Sequence, residues 1–185
     1  MPQSGTGRTI TTTEPKFIPA EAVRLEPEEN VSLKIRMVDC VGYMVPGAMG
    51  HMEDGEARMV STPWSDERIP FEEAAELGTE KVIKDHSTVG IVVTTDGSIG
   101  TMERSSYEEA EARVIEQLRE LNKPFAVLLN STHPSSESTR EIAAAMERKY
   151  GVPVTRVDCA RATENEINGI MTEILGRFPV REVVF

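Results

Sequence analysis

From Phe71 to Leu175 helical stripes alternate with short apolar runs, and this order constrains the fold more than any other feature of the chain. Val89–Thr94 (VGIVVT) and Phe125–Asn130 (FAVLLN) are continuous runs of strand length, the pattern of strands buried on both faces. Pro153–Asp158 (PVTRVD) is a third strand candidate. Phe71–Asp85 reads as a helix, with Gly78 weakening its middle. Three later stretches carry the S/T-x-x-E pattern: Ser106 with Glu109, Ser138 with Glu141, and Thr163 with Glu166. In that pattern side chain and backbone satisfy each other's hydrogen bonds at a helix start. The first of these helices puts Tyr107, Ala110, Val114, Leu118 and Leu121 on one face and stops at Asn122-Lys-Pro124. The second uses Ile142, Ala145 and Met146 and ends at Gly151; the third uses Ile167, Ile170, Met171, Ile174 and Leu175 and ends at Gly176. These stripes are core positions.

An α-β-α-β-α-β-α order predicts an α/β, three-layer fold: a mostly parallel sheet covered on both faces and joined by right-handed crossovers. Ligands in such sheets sit beyond the carboxyl ends of the strands. Upstream, Pro15–Leu25 reads as extended, Glu26–Asn30 as a polar turn and Val31–Val38 as a strand, which together predict an antiparallel hairpin. The second strand alternates Leu33, Ile35 and Met37 and runs into Asp39-Cys40-Val41-Gly42. A carboxylate at a strand end can hold the water shell of Mg²⁺, and a Gly three residues on lets the backbone turn toward a terminal phosphate. Any strand can end in Asp and any turn can use Gly, so the pattern alone leaves a structural role open. The strand ends therefore offer Asp39, Asp96, Asn130 and Cys159 as polar candidates. Residues 40–69 read as a long irregular loop, rich in Gly, Pro and charge, either functional or a surface insertion.

With 185 residues and 39% apolar content, the chain fits one domain with a real core. Its net charge of −11 argues against sequence-independent nucleic-acid binding. The two cysteines, Cys40 and Cys159, lie far apart and read as buried thiols in a reducing compartment. His51, His86 and His133 are scattered, without metal-ligand spacing. No run approaches the ~20 apolar residues of a transmembrane segment, and Met1–Ile10 has no signal-peptide core. These features predict a soluble cytosolic protein.

Ser4–Thr9 (SGTGRT) is not a Walker A loop. Pro2 stands where the first Gly belongs, and Arg8 replaces the Lys that reaches the outer phosphates. Thr11-Thr12-Thr13 lies in the loop ahead of the hairpin whose second strand ends in D-x-x-G. GTPase-type switches place a Thr hydroxyl there, against Mg²⁺ and the γ-phosphate. Asn130-Ser131-Thr132-His133 stands where GTPases carry N-K-x-D. His133 cannot replace the Asp that accepts two hydrogen bonds from guanine, so this frame points to ATP or to no nucleotide. Asp158-Cys159-Ala160 stands where such domains place a base-contacting loop.

Thr9–Pro19 (TITTTEPKFIP), Val38–Tyr43 (VDCVGY), Met59–Trp64 (MVSTPW), His86–Gly100 (HSTVGIVVTTDGSIG), Arg104–Tyr107 (RSSY) and Phe178–Val180 (FPV) resemble the stage IV sporulation protein A family. The resemblance runs over nearly the whole chain. It implies a P-loop NTPase-like fold of the translation-factor GTPase type, adapted to ATP with Mg²⁺. It implies ATP hydrolysis driving self-association into a polymer, the basement layer of the bacterial spore coat. The cellular place would be the mother-cell cytoplasm at the forespore surface, with other coat proteins and a small amphipathic membrane-bound peptide as partners. By motif, Thr12 and Thr13 would be the sensor threonines, and Thr13 and Asp39 would hold Mg²⁺ largely through water. Gly42 would face the γ-phosphate, and Asn130, Ser131, Cys159 and Ala160 would line the nucleotide. The family also has a first strand, a Walker A loop and its helix ahead of the SGTGRT-like segment, and further domains after the FPV segment. The expectation is a truncated NTPase-like domain over 1–178, with a flexible switch I-like loop over 1–14 and a switch II-like loop over 40–69. Residues 179–185 would begin a link to a following domain. On this reading the 185-residue chain alone binds ATP weakly or not at all.

Overall fold

The structure is a computed structural model that describes residues 16–28 and 31–176. β1 (Lys16–Glu28) and β2 (Val31–Asp39) form an antiparallel pair. Lys16 lies opposite Asp39 and Leu25 opposite Leu33, with an irregularity between Ile18 and Val23. The hairpin is as expected, but β1 continues through Glu28, so Glu26–Glu28 belong to the strand and not to a turn.

Residues 40–69 depart from the irregular loop expected of them. They hold two short antiparallel pairs: β3 (Met52–Glu53) with β4 (Glu56–Ala57), and β5 (Met59–Thr62) with β6 (Ser65–Pro70). The segment is stitched together through Arg58, which is buried. Its N–H donates to the His51 carbonyl (2.9 Å), its guanidinium to the Gly50 carbonyl (3.1 Å), and its own carbonyl accepts from Phe71 N–H (2.7 Å). Charge and glycine content hid this structure, because strands of two to six residues leave little periodicity to read.

α1 (Phe71–Lys81) follows and passes into a π-helical turn, Val82–His86. Then come β7 (Gly90–Thr95), a 3₁₀ turn (Arg104–Tyr107), α2 (Glu108–Glu120), β8 (Phe125–Asn130), α3 (Glu137–Tyr150), β9 (Val154–Val157) and α4 (Glu164–Leu175). β7, β8 and β9 form a parallel sheet in that order, with Gly90 opposite Phe125 and Val127 opposite Val154. On one face Val92, Val127 and Leu129 pack with Ile115 and Leu118 of α2 and with Ala143, Met146 and Tyr150 of α3. On the other face Ala126, Leu128 and Val157 pack with Ile170 and Ile174 of α4. Successive side chains of β8 thus feed opposite layers, the reason its sequence is apolar throughout.

Of the three helix starts, one is the capping box expected: Thr163 and Glu166 bond reciprocally at α4. Ser106 sits inside the 3₁₀ turn instead, its N–H donating to the Glu103 carbonyl. α3 is capped by Ser136, not Ser138, the Ser136 hydroxyl accepting from Thr139 N–H at 3.2 Å. Both cysteines are exposed, contrary to the buried thiols expected.

Candidate functional site

The carboxyl ends of β7, β8 and β9 converge as the parallel order requires, and the loops that leave them form one polar cluster. Asp96 follows β7. Its Oδ1 accepts from Ser98 N–H (3.0 Å) and Ser98 Oγ (2.5 Å), and its Oδ2 accepts from Thr139 Oγ1 (2.9 Å) at the start of α3. Gly97 bends the loop with φ of +91°, and a Cβ there would stand 3.0 Å from the Arg104 nitrogen, so glycine is required twice over.

Asn130 ends β8. Its Oδ1 accepts from Cys159 N–H at 2.9 Å, which ties the β8 loop to the β9 loop. Ser131 is fully buried. Its Oγ accepts from His133 N–H (2.9 Å) and lies 3.3 Å from Thr139 Oγ1. Thr132 N–H donates to Ser98 Oγ at 3.0 Å. Cys159 and Ala160 are exposed, and Ala160 N–H donates to Asp158 Oδ1 at 3.0 Å. Four of the expected ligand residues, Asn130, Ser131, Cys159 and Ala160, therefore lie in one cluster. The Ser131 hydroxyl is spent on protein partners, so it shapes this rim from behind.

The other expected residues lie elsewhere. Asp39 is the last residue of β2 and exposed, and Gly42 turns the chain with φ of +82° and nothing within 4 Å of where a Cβ would be. Its glycine requirement is conformational and leaves open space beside it. Thr12 and Thr13 lie outside the described residues. Just after Gly42, Tyr43 is buried and clasps the segment to α2. Its hydroxyl donates to Gln117 Oε1 (2.6 Å), the Arg113 guanidinium stacks 4.1 Å from its ring centroid, and Arg113 also pairs with Glu76 of α1. Beside this clasp lies a cavity of about 300 Å³ that includes Met44, His51, Glu72 and Glu109 in its walls.

Among the described residues no group of three or more His, Cys, Asp or Glu side chains could hold a metal ion. A single exposed carboxylate such as Asp39 suits Mg²⁺, which keeps most of its waters and is carried with substrate phosphates. No described helix is long and apolar enough to cross a membrane.

Asp96 stands out only by its place at a strand end, whereas Ser98 and Thr139 are site residues that no motif singles out. The available signal was T-D-G at a strand end, which marks only a turn. Burial would raise the Asp96 pKa, but the Ser131, Ser98 and Thr139 hydroxyls around it outweigh that and hold the group at about 2, against 3.8 ordinarily. A depressed carboxyl pKa gives stability that is complete above the unfolded value and is lost as pH falls through the folded value. The shift corresponds to about 2 kcal/mol at neutral pH. Urea unfolding should therefore show the stability gap between the native protein and Asp96→Asn closing by about that amount between pH ~4 and ~2. A pH-independent gap would mean that Asp96 is not ionised in this network.

Over residues 1–179 the chain matches a family model described as stage IV sporulation protein A, ATPase domain. It is 54% identical over 183 residues to a curated protein named stage IV sporulation protein A from Clostridioides difficile (strain 630). Proteins of the same name from Bacillus anthracis and Bacillus subtilis (strain 168) are 47% and 48% identical over 183 residues. In each case the alignment covers 99% of this chain and 37% of the relative. No solved structure matches it.

Proposed function

The chain belongs to the stage IV sporulation protein A family, within its ATPase domain, and on that premise we propose that it is part of an ATP-hydrolysing, self-assembling morphogenetic protein. In this reading ATP hydrolysis drives polymerisation on the forespore surface, in the mother-cell cytoplasm, to form the basement layer of the spore coat. Other coat proteins and a small amphipathic membrane-bound peptide are its partners there. The observation that carries the reading is the match to the ATPase-domain family along residues 1–179.

Two structural features support it. Asp39 and Gly42 end a strand as a Mg²⁺ carboxylate and a phosphate-facing turn would, and the β7–β9 loops form a preorganised rim where α/β sheets take ligands. Thr12 and Thr13 would complete the Mg²⁺ side, and Asn130, Cys159 and Ala160 the base side. The reading also assigns a P-loop, its strand and its helix to the open side of β7. That strand pairs with β8 alone among the described residues. α4 packs on the same face over β8 and β9, while Val93 of β7 remains 57% exposed. An unpaired edge beside an uncovered apolar side chain is a template for one more strand with a helix across it.

The direct test is the coding DNA upstream of Met1. It should encode, in frame, a strand followed by G-x-x-x-x-G-K-[ST]; an in-frame stop codon immediately before Met1, with no such motif, would overturn the assignment of β7's open side.

A second reading, a non-catalytic assembly module that has lost nucleotide binding, is favoured by one observation. Asn130 and Ser131 already spend their side-chain oxygens on Cys159 and His133. Under it Mg·ATP leaves the melting temperature unmoved, and Asp39→Ala is neutral.

A further inference from the structure

Asp96 holds two hydroxyl groups, Ser98 and Thr139, and an ionised carboxylate can only accept hydrogen bonds. That fixes which way each hydroxyl proton points. Ser98 gives its proton to Asp96 Oδ1 (2.5 Å), so the lone pairs of Ser98 Oγ are free to accept from Thr132 N–H (3.0 Å). Thr139 donates to Oδ2 (2.9 Å) from the first turn of α3. With the Thr139 proton committed to Asp96, the Ser131 hydroxyl 3.3 Å away turns its own proton toward Thr139 Oγ1, and its oxygen accepts from His133 N–H (2.9 Å). Ser131 and Thr139 are 0% and 1% exposed, so neither has water as an alternative partner. The two exposed residues of the rim, Thr132 and His133, are thus fixed by a carboxylate on another loop. The Asn130–Cys159 bond carries the constraint on to the β9 loop.

We propose that Asp96 is a positioning residue for the base-side rim: it orients the Ser98 hydroxyl directly and the Ser131 hydroxyl through Thr139, and thereby holds the Thr132–His133 backbone in the shape that receives the nucleotide base. This rests on the nucleotide reading above for its ligand, but not for its geometry. Asp96 touches no ligand in this role. Its effect passes through two serines, and its removal frees their hydroxyls to rotate.

The test pairs amide hydrogen exchange with ATP titration on a chimera in which this segment replaces the matching part of a full-length curated relative, carrying Asp96, Asp96→Ala or Asp96→Asn. The Thr132 and His133 amides should exchange at least ~10-fold faster in Asp96→Ala, while Val127–Leu129 in the middle of β8 keep their protection. Asp96→Asn, which keeps the size but can direct a proton back at the hydroxyls, should fall between. Mg·ATP affinity should weaken by about 10-fold in Asp96→Ala, with the triphosphate-only ligand inorganic tripolyphosphate affected less. Unchanged exchange at Thr132 and His133 would overturn the proposal. So would faster exchange without any loss of ATP affinity, since Asp96 would then be structural only. If Asp96→Ala unfolds, Asp96→Asn decides by the same two readouts. A parent chimera that binds no Mg·ATP overturns this proposal and the nucleotide reading together, whereas failure of the exchange arm alone leaves that reading standing.

Discussion

Glu111→Ala is expected to destabilise the protein by about 3–5 kcal/mol, the range for removing one partner of a desolvated ion pair. Glu111 is buried in the first turn of α2, on its inner face, with its side chain 2% exposed. Arg104 Nη2 donates to Glu111 Oε1 at 2.9 Å and lies 2.8 Å from Oε2, and Tyr150 of α3 donates its hydroxyl to Oε1 at 2.7 Å. Arg104 reaches on to Thr94 Oγ1 of β7 at 3.3 Å. One carboxylate thus joins the 3₁₀ turn, α2, α3 and the sheet. Burial first, then Glu111 itself, raises the Tyr150 phenol, so it stays protonated and remains a donor. Removing Glu111 strands the Arg104 charge and the Tyr150 hydroxyl in a place water reaches poorly, and each pays its desolvation unaided. The urea midpoint should fall accordingly, and the melting temperature by roughly 10 °C. A triple replacement, Arg104→Met with Glu111→Leu and Tyr150→Phe, should recover most of the loss, because apolar groups of similar volume need no partners. A cost below ~1 kcal/mol for Glu111→Ala would show that solvent reaches the pair.

The same glutamate explains where sequence reading succeeded and where it slipped. β8 was legible to the residue, because a strand fed from both faces is apolar throughout and Asn130 closes it sharply. The α-β alternation, the hairpin, the Gly151 stop of α3 and the Thr163 box of α4 were legible for the same kind of reason: each is written in residues a few positions apart. α2 was not. Its inner face is Glu111, Ile115 and Leu118, whereas the apolar stripe starting at Tyr107 ends at Leu121, which is 37% exposed. A buried charge whose partner precedes the helix looks like a surface position, and the apparent stripe rotates to avoid it. The Ser106 box misled for a related reason, since the 3₁₀ turn that carries Arg104 to Glu111 occupies that position. At the site, Asp39, Gly42 and Asn130 were visible as motifs. Asp96 was visible only as a polar strand end, and Ser98 and Thr139 were not visible at all, because the meaning of all three lies in contacts between loops that sequence spacing does not encode.

Asp39→Ala is expected to lower Mg²⁺-dependent ATP turnover by about two to three orders of magnitude. The measurement is phosphate release from a chimera in which this segment replaces the matching part of a full-length curated relative. Bound Mg²⁺ stabilises the developing charge of phosphoryl transfer by several kcal/mol, and each 1.36 kcal/mol is about tenfold in rate. Asp39 is the exposed carboxylate at the end of β2, one residue ahead of the turn that leads to Gly42. Asp39→Asn keeps the side chain's size and loses its charge, so it should fall nearly as far as Ala; near-native activity in Asn would assign Asp39 to backbone geometry alone. The kinetic pattern matters as much as the size. Loss of a metal carboxylate acts on the transition state, so kcat should fall far more than the KM for ATP rises. Loss of Asp96 acts on the rim that receives the base, and should show itself chiefly in KM. β2 belongs to the two-stranded sheet and the Asp96 rim to the parallel one, so the two substitutions should be close to additive. Turnover within threefold of the parent in Asp39→Ala, with Mg²⁺ still required, would remove Asp39 from the metal site and leave the non-catalytic reading of this segment as the stronger one.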